Sequence, residues 1–157
     1  MTLHVDTLAA TVHRMAAQQE CRDLVLAAAD AVDGRDYAAL AALFTVDGVL
    51  VRPGGAELQG HAAIIAAYTA RSPERLTRHL VSNQRVQIDM AGGSAEVTST
   101  ILLWSGRHAD PVTPRGRPAD ATQQVGEIRD QMVHTPDGWR IRRREAWFTL
   151  VRDEPGS

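Results

Sequence analysis

Apolar positions recur at intervals of three and four along "ECRDLVLAAADAVDG". Cys21, Leu24, Val25, Ala28 and Val32 form one stripe there, the signature of an amphipathic helix. Gly34 stands where a left-handed C-cap is wanted, and Asp36 is placed to cap the next segment. That segment, "DYAALAALF", repeats the pattern with Tyr37, Leu40, Leu43 and Phe44. A separate short helix is expected around Asp6 to Ala17, so that residues 1–16 form a helical extension. Asp47-Gly48 then reads as a turn into a short strand, Val49 to Arg52, which "PGG" breaks. A third helix, "GHAAIIAAYTA", carries Ile64, Ile65 and Tyr68 on one side and ends at Ser72-Pro73.

From Leu76 the texture changes to strands. "LTRHLVSNQRVQIDM" turns at "AGG" into "SAEVTSTILLWSG"; a polar, Pro-containing loop over 106–122 follows, placed to act as a lid. "TQQVGEIRDQMVHT" and "WRIRRREAWFTLV" flank Pro136-Asp137-Gly138, a hairpin turn by residue type. Helices first and a meander of long strands afterwards predict an α+β fold. The expectation is a cone-shaped, strongly curved antiparallel sheet with the N-terminal helices packed on its concave face and a small-molecule pocket in its mouth. Residues 1–157 read as a single domain, with a frayed tail over 152–157.

Composition narrows this picture modestly. The apolar fraction of 44% and the charged fraction of 23% suit a globular core. No apolar run approaches the roughly 18 residues a membrane span needs, so no membrane partner is expected. A net charge of −2 gives no bulk attraction to nucleic acid. Cys21 is the single cysteine, which fits a reducing cytoplasm. All 17 basic residues are Arg. The six His show no ligand-like spacing with Cys or carboxylates, so neither a metal nor another cofactor is expected. "RIRRRE" splits across two strand faces with no aromatic platform beside it, and reads as a solvated outer face rather than a nucleic-acid patch.

Four segments in order, "AVDGRDYAALAALFTVDGVLV", "LQGHAAIIAAY", "TRHLVSN" and "GEIRDQMVHTPDGWRIRRRE", resemble the SnoaL-like branch of the nuclear-transport-factor-two-like superfamily. The resemblance spans roughly Arg22 to Trp147 and implies the cone fold. It constrains activity less, because the superfamily holds scytalone dehydratase, steroid isomerases, polyketide cyclases and plain binding proteins. In scytalone dehydratase-like members an aspartate ending the first long helix and a histidine in the third-strand motif act together on substrate. The resemblance carries those roles to Asp33 and His79. The chain departs from that dehydratase at Val32, where a tyrosine is usual, and at Ile128 in "GEIRD".

If Asp33 and His79 meet, the carboxylate fixes the imidazole tautomer and leaves the other ring nitrogen to move a proton. Strand alternation sets an obstacle. Thr77, His79, Val81, Asn83 and Arg85 share one face, and Leu76, Leu80, Val86, Ile88 and Met90 the other. With the apolar set facing the helices, His79 points away unless a bulge changes the parity. Asp130 is the candidate second acid/base, and Asn83, Tyr37, Tyr68, Trp104 and Thr100 are candidate substrate contacts. The expected function is cofactor-independent acid/base chemistry, as a dehydratase, isomerase or cyclase, on a small apolar polyketide- or terpenoid-like substrate. A homodimer formed through the sheet is expected with it. The alternative is a non-catalytic binding or accessory subunit of the same fold.

Overall fold

The computed structural model describes residues 2–153, with side chains from Asp6 onward. Three helices, α1 (Thr2–Asp33), α2 (Tyr37–Ala42) and α3 (Gly60–Thr69), accompany six strands. These are β1 (Phe44–Val51), β2 (Glu57–Gln59), β3 (Arg75–Asp89), β4 (Ser94–Arg107), β5 (Gln123–Thr135) and β6 (Gly138–Arg152). They form one sheet in the order β2-β1-β6-β5-β4-β3. Every pairing is antiparallel except β1 with β6. The α+β architecture expected from the pattern is the one observed.

α1 is continuous where two helices were expected. No Gly or Pro lies between Ala17 and Glu20 to break it, and Ala17, Cys21, Val25, Ala28 and Val32 bury one unbroken stripe. Each larger aliphatic in that stripe contributes about 1.5–3 kcal/mol by leaving water. At its end Arg35, not Gly34, takes the left-handed conformation (φ 61°). Asp36 caps α2 as expected, its side chain accepting from the Ala39 N–H at 2.9 Å. The strand expected to start at Val49 begins at Phe44 and is followed by the unforeseen β2. Arg152, expected to fray, is the last residue of β6, while 154–157 lie outside the described residues.

The stripe of α1 packs on one half of the sheet only. Ile88, Ala95, Val97, Met132, Trp139 and Ile141 meet it there, with Leu40, Phe44 and Ile64 closing the core. The other half of the concave face is left open beneath α3 and the β1–β2 turn, and holds a cavity of about 360 Å³.

Two bulges separate the halves. In β3, Asn83 and Gln84 fall between Ser82, paired with Thr100, and Arg85, paired with Thr98; two residues oppose one. Asn83 takes φ 52°, a conformation asparagine tolerates better than most residues. In β6, Gln131 pairs with Arg143 but Met132 with Ile141, so Arg142 is the extra residue. Each bulge moves the inward set by one position. Ile88 and Val86 point in below the first, and Val81, His79 and Thr77 point in above it. Below the second Trp139 and Ile141 point in, and above it Arg144.

Candidate active site

The first bulge removes the parity obstacle to His79. Above it Leu80 turns outward, 53% exposed, and the His79 ring joins the cavity wall. Asp33, the last residue of α1, lies directly behind. Its Oδ1 is 2.6 Å from Nδ1 of His79, and its Oδ2 accepts from the His79 backbone N–H at 2.7 Å. Thr77 Oγ1 donates to Oδ1 at 2.8 Å. Burial opposes the charge on Asp33, but the His79 ring, the His79 backbone and Thr77 outweigh it and hold the carboxyl below its ordinary range. Side-chain exposures of 17% for His79 and 13% for Asp33 keep the pair close to water-free. Nε2 has no partner among the described residues, and a neutral ring that donates Nδ1–H to the carboxylate presents its lone pair there.

Asp130 does not reach the cavity. It is fully buried, and both oxygens accept from Arg144, at 2.6 Å from Nε and 2.8 Å from Nη2. The two residues face each other across β5 and β6, so the pair is a bidentate fork. Both of its oxygens are taken up by the Arg144 guanidinium, which it holds in place. Arg144 corrects the reading of "RIRRRE" as solvated. The bulge at Arg142 turns its side chain inward, 6% exposed, onto the cavity wall. Burial disfavours its charge, but the Asp130 carboxylate more than offsets this and raises its pKa.

Among the expected substrate contacts, Tyr68 lines the cavity. Burial pushes its phenol above the ordinary tyrosine range, against the pull of Arg144, Arg71 and Arg52. Tyr37 stands against the Tyr68 ring, centroids 5.5 Å apart, and is not itself part of the lining. The other three lie elsewhere. Asn83 is spent on the bulge and exposed, and Thr100 and Trp104 alternate outward from the inward-facing Ser99, Ile101 and Leu103 of β4. The 106–122 loop adds no residue to the cavity; Arg117, Pro118 and Ala119 line a separate depression with Trp104 and Arg78. Its backbone bonds to β4, Asp120 N–H to the Ser105 carbonyl, place it there instead of over the cavity.

Sequence reasoning missed four arginines on the cavity lining, Arg52, Arg71, Arg75 and Arg144. They come from the ends of β1 and α3, the start of β3 and the middle of β6, and no local motif marks them. Among the described residues no three His, Cys, Asp or Glu side chains gather as metal ligands would.

Residues 13–145 match the SnoaL-like domain family. No curated protein matches the chain. Solved structures do. A candidate scytalone dehydratase from Novosphingobium aromaticivorans is 20% identical, with 94% of this chain and 93% of that one aligned at a TM-score of 0.75. A type 2 hexachlorocyclohexane dehydrochlorinase (LinA) is 14% identical, over 94% and 95%, at 0.76. An NTF2-like protein with a cystatin-like fold, also from Novosphingobium aromaticivorans, is 23% identical over 90% and 88%, at 0.71. At these identities the likeness is one of fold. With the family match covering most of its length, the chain belongs to the SnoaL-like domain family.

Proposed function

We propose that the protein is a cofactor-independent acid/base enzyme, a lyase or isomerase. It moves a proton at a carbon next to a carbonyl or hydroxyl of a small molecule held in the cavity. The observation that carries this reading is His79 in the cavity wall with Nδ1 taken by Asp33 at 2.6 Å. Nε2 takes the proton from carbon, and Asp33 stabilises the imidazolium that forms. The electron pair left on carbon passes to the neighbouring carbonyl, giving an enolate. The enolate oxygen accepts from Arg144 Nη1, the nitrogen Asp130 leaves free, or from the Tyr68 hydroxyl. In a lyase the β-substituent then departs and, if it is hydroxide, takes the proton back from His79 as water. In an isomerase the proton returns to a different carbon.

The two relatives named for eliminations, of water and of hydrogen chloride, are in keeping with this chemistry. Pairing of two copies through the outer sheet face belongs to the same reading, because Leu80 stands exposed there opposite Leu102. So does a reducing, cytoplasmic setting, since Cys21 is free and buried.

The test is deuterium incorporation from heavy water into a panel of enolisable cyclic ketones and β-hydroxy ketones, with water loss followed in the same spectra. His79→Gln is expected to slow the catalysed reaction by ~10²–10⁴. Equal rates with the wild type and His79→Gln would overturn the proposal.

A further inference from the structure

The charges of the cavity do not balance. Arg144 is neutralised by Asp130, and Asp33 supports His79. Arg52, Arg71 and Arg75 also line the cavity, yet none of the three makes an ion pair among the described residues. No carboxylate among the described residues is part of the lining. The carboxylate of Asp33 offsets one of these charges at most, so the cavity lining carries an excess of positive charge.

Two of the three are built into place. The guanidinium of Arg52 lies 5.7 Å from the centroid of the Tyr68 ring, and that of Arg71 lies 5.3 Å from it. Both are partly buried, and Arg52 Nη1 also reaches the Ala67 carbonyl at 3.5 Å. The loop between α3 and β3 that carries Arg71 and leads into Arg75 is pinned from outside. Arg35 Nη1 donates to the carbonyls of Ser72 at 3.1 Å and Pro73 at 2.9 Å. Burial and the neighbouring Arg75 lower the Arg71 pKa, as expected for a cation that lacks a counter-charge. Holding like charges together in a half-enclosed space is unfavourable unless an anion joins them. Guanidinium forks suit a planar oxyanion, which they bind with two parallel hydrogen bonds. The lining also holds Val32, Val81, Ile101, Leu103 and Phe148, an apolar surface.

We infer that the substrate is a small organic acid. Its carboxylate docks on Arg52 and Arg71 beside the Tyr68 ring, its apolar body lies against the apolar part of the lining, and its reacting carbon is presented to His79. The inference rests on the acid/base reading of the same cavity and narrows it. The expected substrate is amphiphilic rather than wholly apolar, and Arg75, exposed at the rim, draws it in.

The experiment is a calorimetric or fluorescence titration with a matched pair of probes, 2-naphthoate and 2-naphthamide, which share shape and differ in charge. The 157-residue chain is expected to bind the acid about tenfold or more tightly than the amide, with the preference falling as salt rises. Arg71→Gln and Arg52→Gln are expected to erase the preference, and Arg71→Lys to keep part of it. Equal affinity for acid and amide, no binding of either, or equal loss for both probes in Arg71→Gln would overturn the inference. These outcomes are separate from the fate of the acid/base reading. Loss of charge preference with a His79-dependent reaction intact sinks the substrate class alone. Charge-selective binding with reaction rates indifferent to His79→Gln sinks the proton-transfer reading alone.

Discussion

Asp33 holds His79 at two points, the ring nitrogen Nδ1 at 2.6 Å and the backbone N–H at 2.7 Å. One carboxylate at the end of α1 thus fixes both the strand position and the ring orientation of a residue 46 positions away. The contact is short and mostly shielded, so its loss is expected to be visible in stability as well as in activity.

The pH dependence follows from the sign of the Asp33 shift. Its carboxyl is held below the ordinary range in the folded protein, so the stabilisation is complete above the unfolded pKa of about 3.9 and is lost as pH falls through the lower, folded value. The stability gap between wild type and Asp33→Asn is expected to shrink as pH falls below about 4. Urea unfolding at several pH values measures it. A gap as wide in strong acid as at neutrality would contradict the assignment.

Asn83 supplies the left-handed residue on which the inward turn of His79 depends. Asn83→Gly should leave stability within a few tenths of a kcal/mol or raise it, since glycine adopts φ 52° freely. Asn83→Val should cost about 1–2 kcal/mol, because a β-branched side chain clashes in that conformation. Chemical denaturation separates the two. Equal effects of Gly and Val would mean that the backbone there is not constrained.

The buried pair Asp130–Arg144 should behave asymmetrically. Asp130→Ala alone leaves a buried guanidinium without its partner and is expected to cost about 3–5 kcal/mol. Asp130→Leu with Arg144→Met replaces both by apolar groups of similar size and should cost far less. The double variant is nevertheless expected to lose activity, since the enolate oxygen loses the Arg144 donor. Denaturation curves and rates on the same preparations check both halves.

Cys21 sits fully buried in the α1 stripe, and burial pushes its thiol up to about 11. The native protein should be inert to thiol reagents near pH 8 and react once unfolded. Rapid modification in the native state would place α1 away from the core.

Periodicity revealed most of the architecture because the apolar stripe of α1 and the long alternating strands bury large, regular surfaces. β2 escaped notice, three residues being too few to show a period. The site was legible in part. Asp33 and His79 could be named from a resemblance, but alternation alone pointed His79 the wrong way. A bulge is one extra residue with no fixed sequence mark, and Asn83 reads equally well as a substrate contact. The same limit hid Arg144. Carried straight from the turn at Gly138, the register would set Asp130 opposite Arg143; the extra residue Arg142 moves the pairing on by one. Arg52, Arg71 and Arg75 could not be grouped from sequence at all, since only the folded sheet brings their elements to one rim.

The account turns on which nitrogen of His79 carries the proton, and nitrogen-15 NMR of the imidazole ring measures that without a substrate. Recorded near pH 9, where imidazoles are ordinarily neutral, the ring should be protonated at Nδ1 and bare at Nε2, with that preference weakened in Asp33→Asn. A ring protonated at Nε2 would leave no lone pair facing the cavity and would contradict His79 as the base.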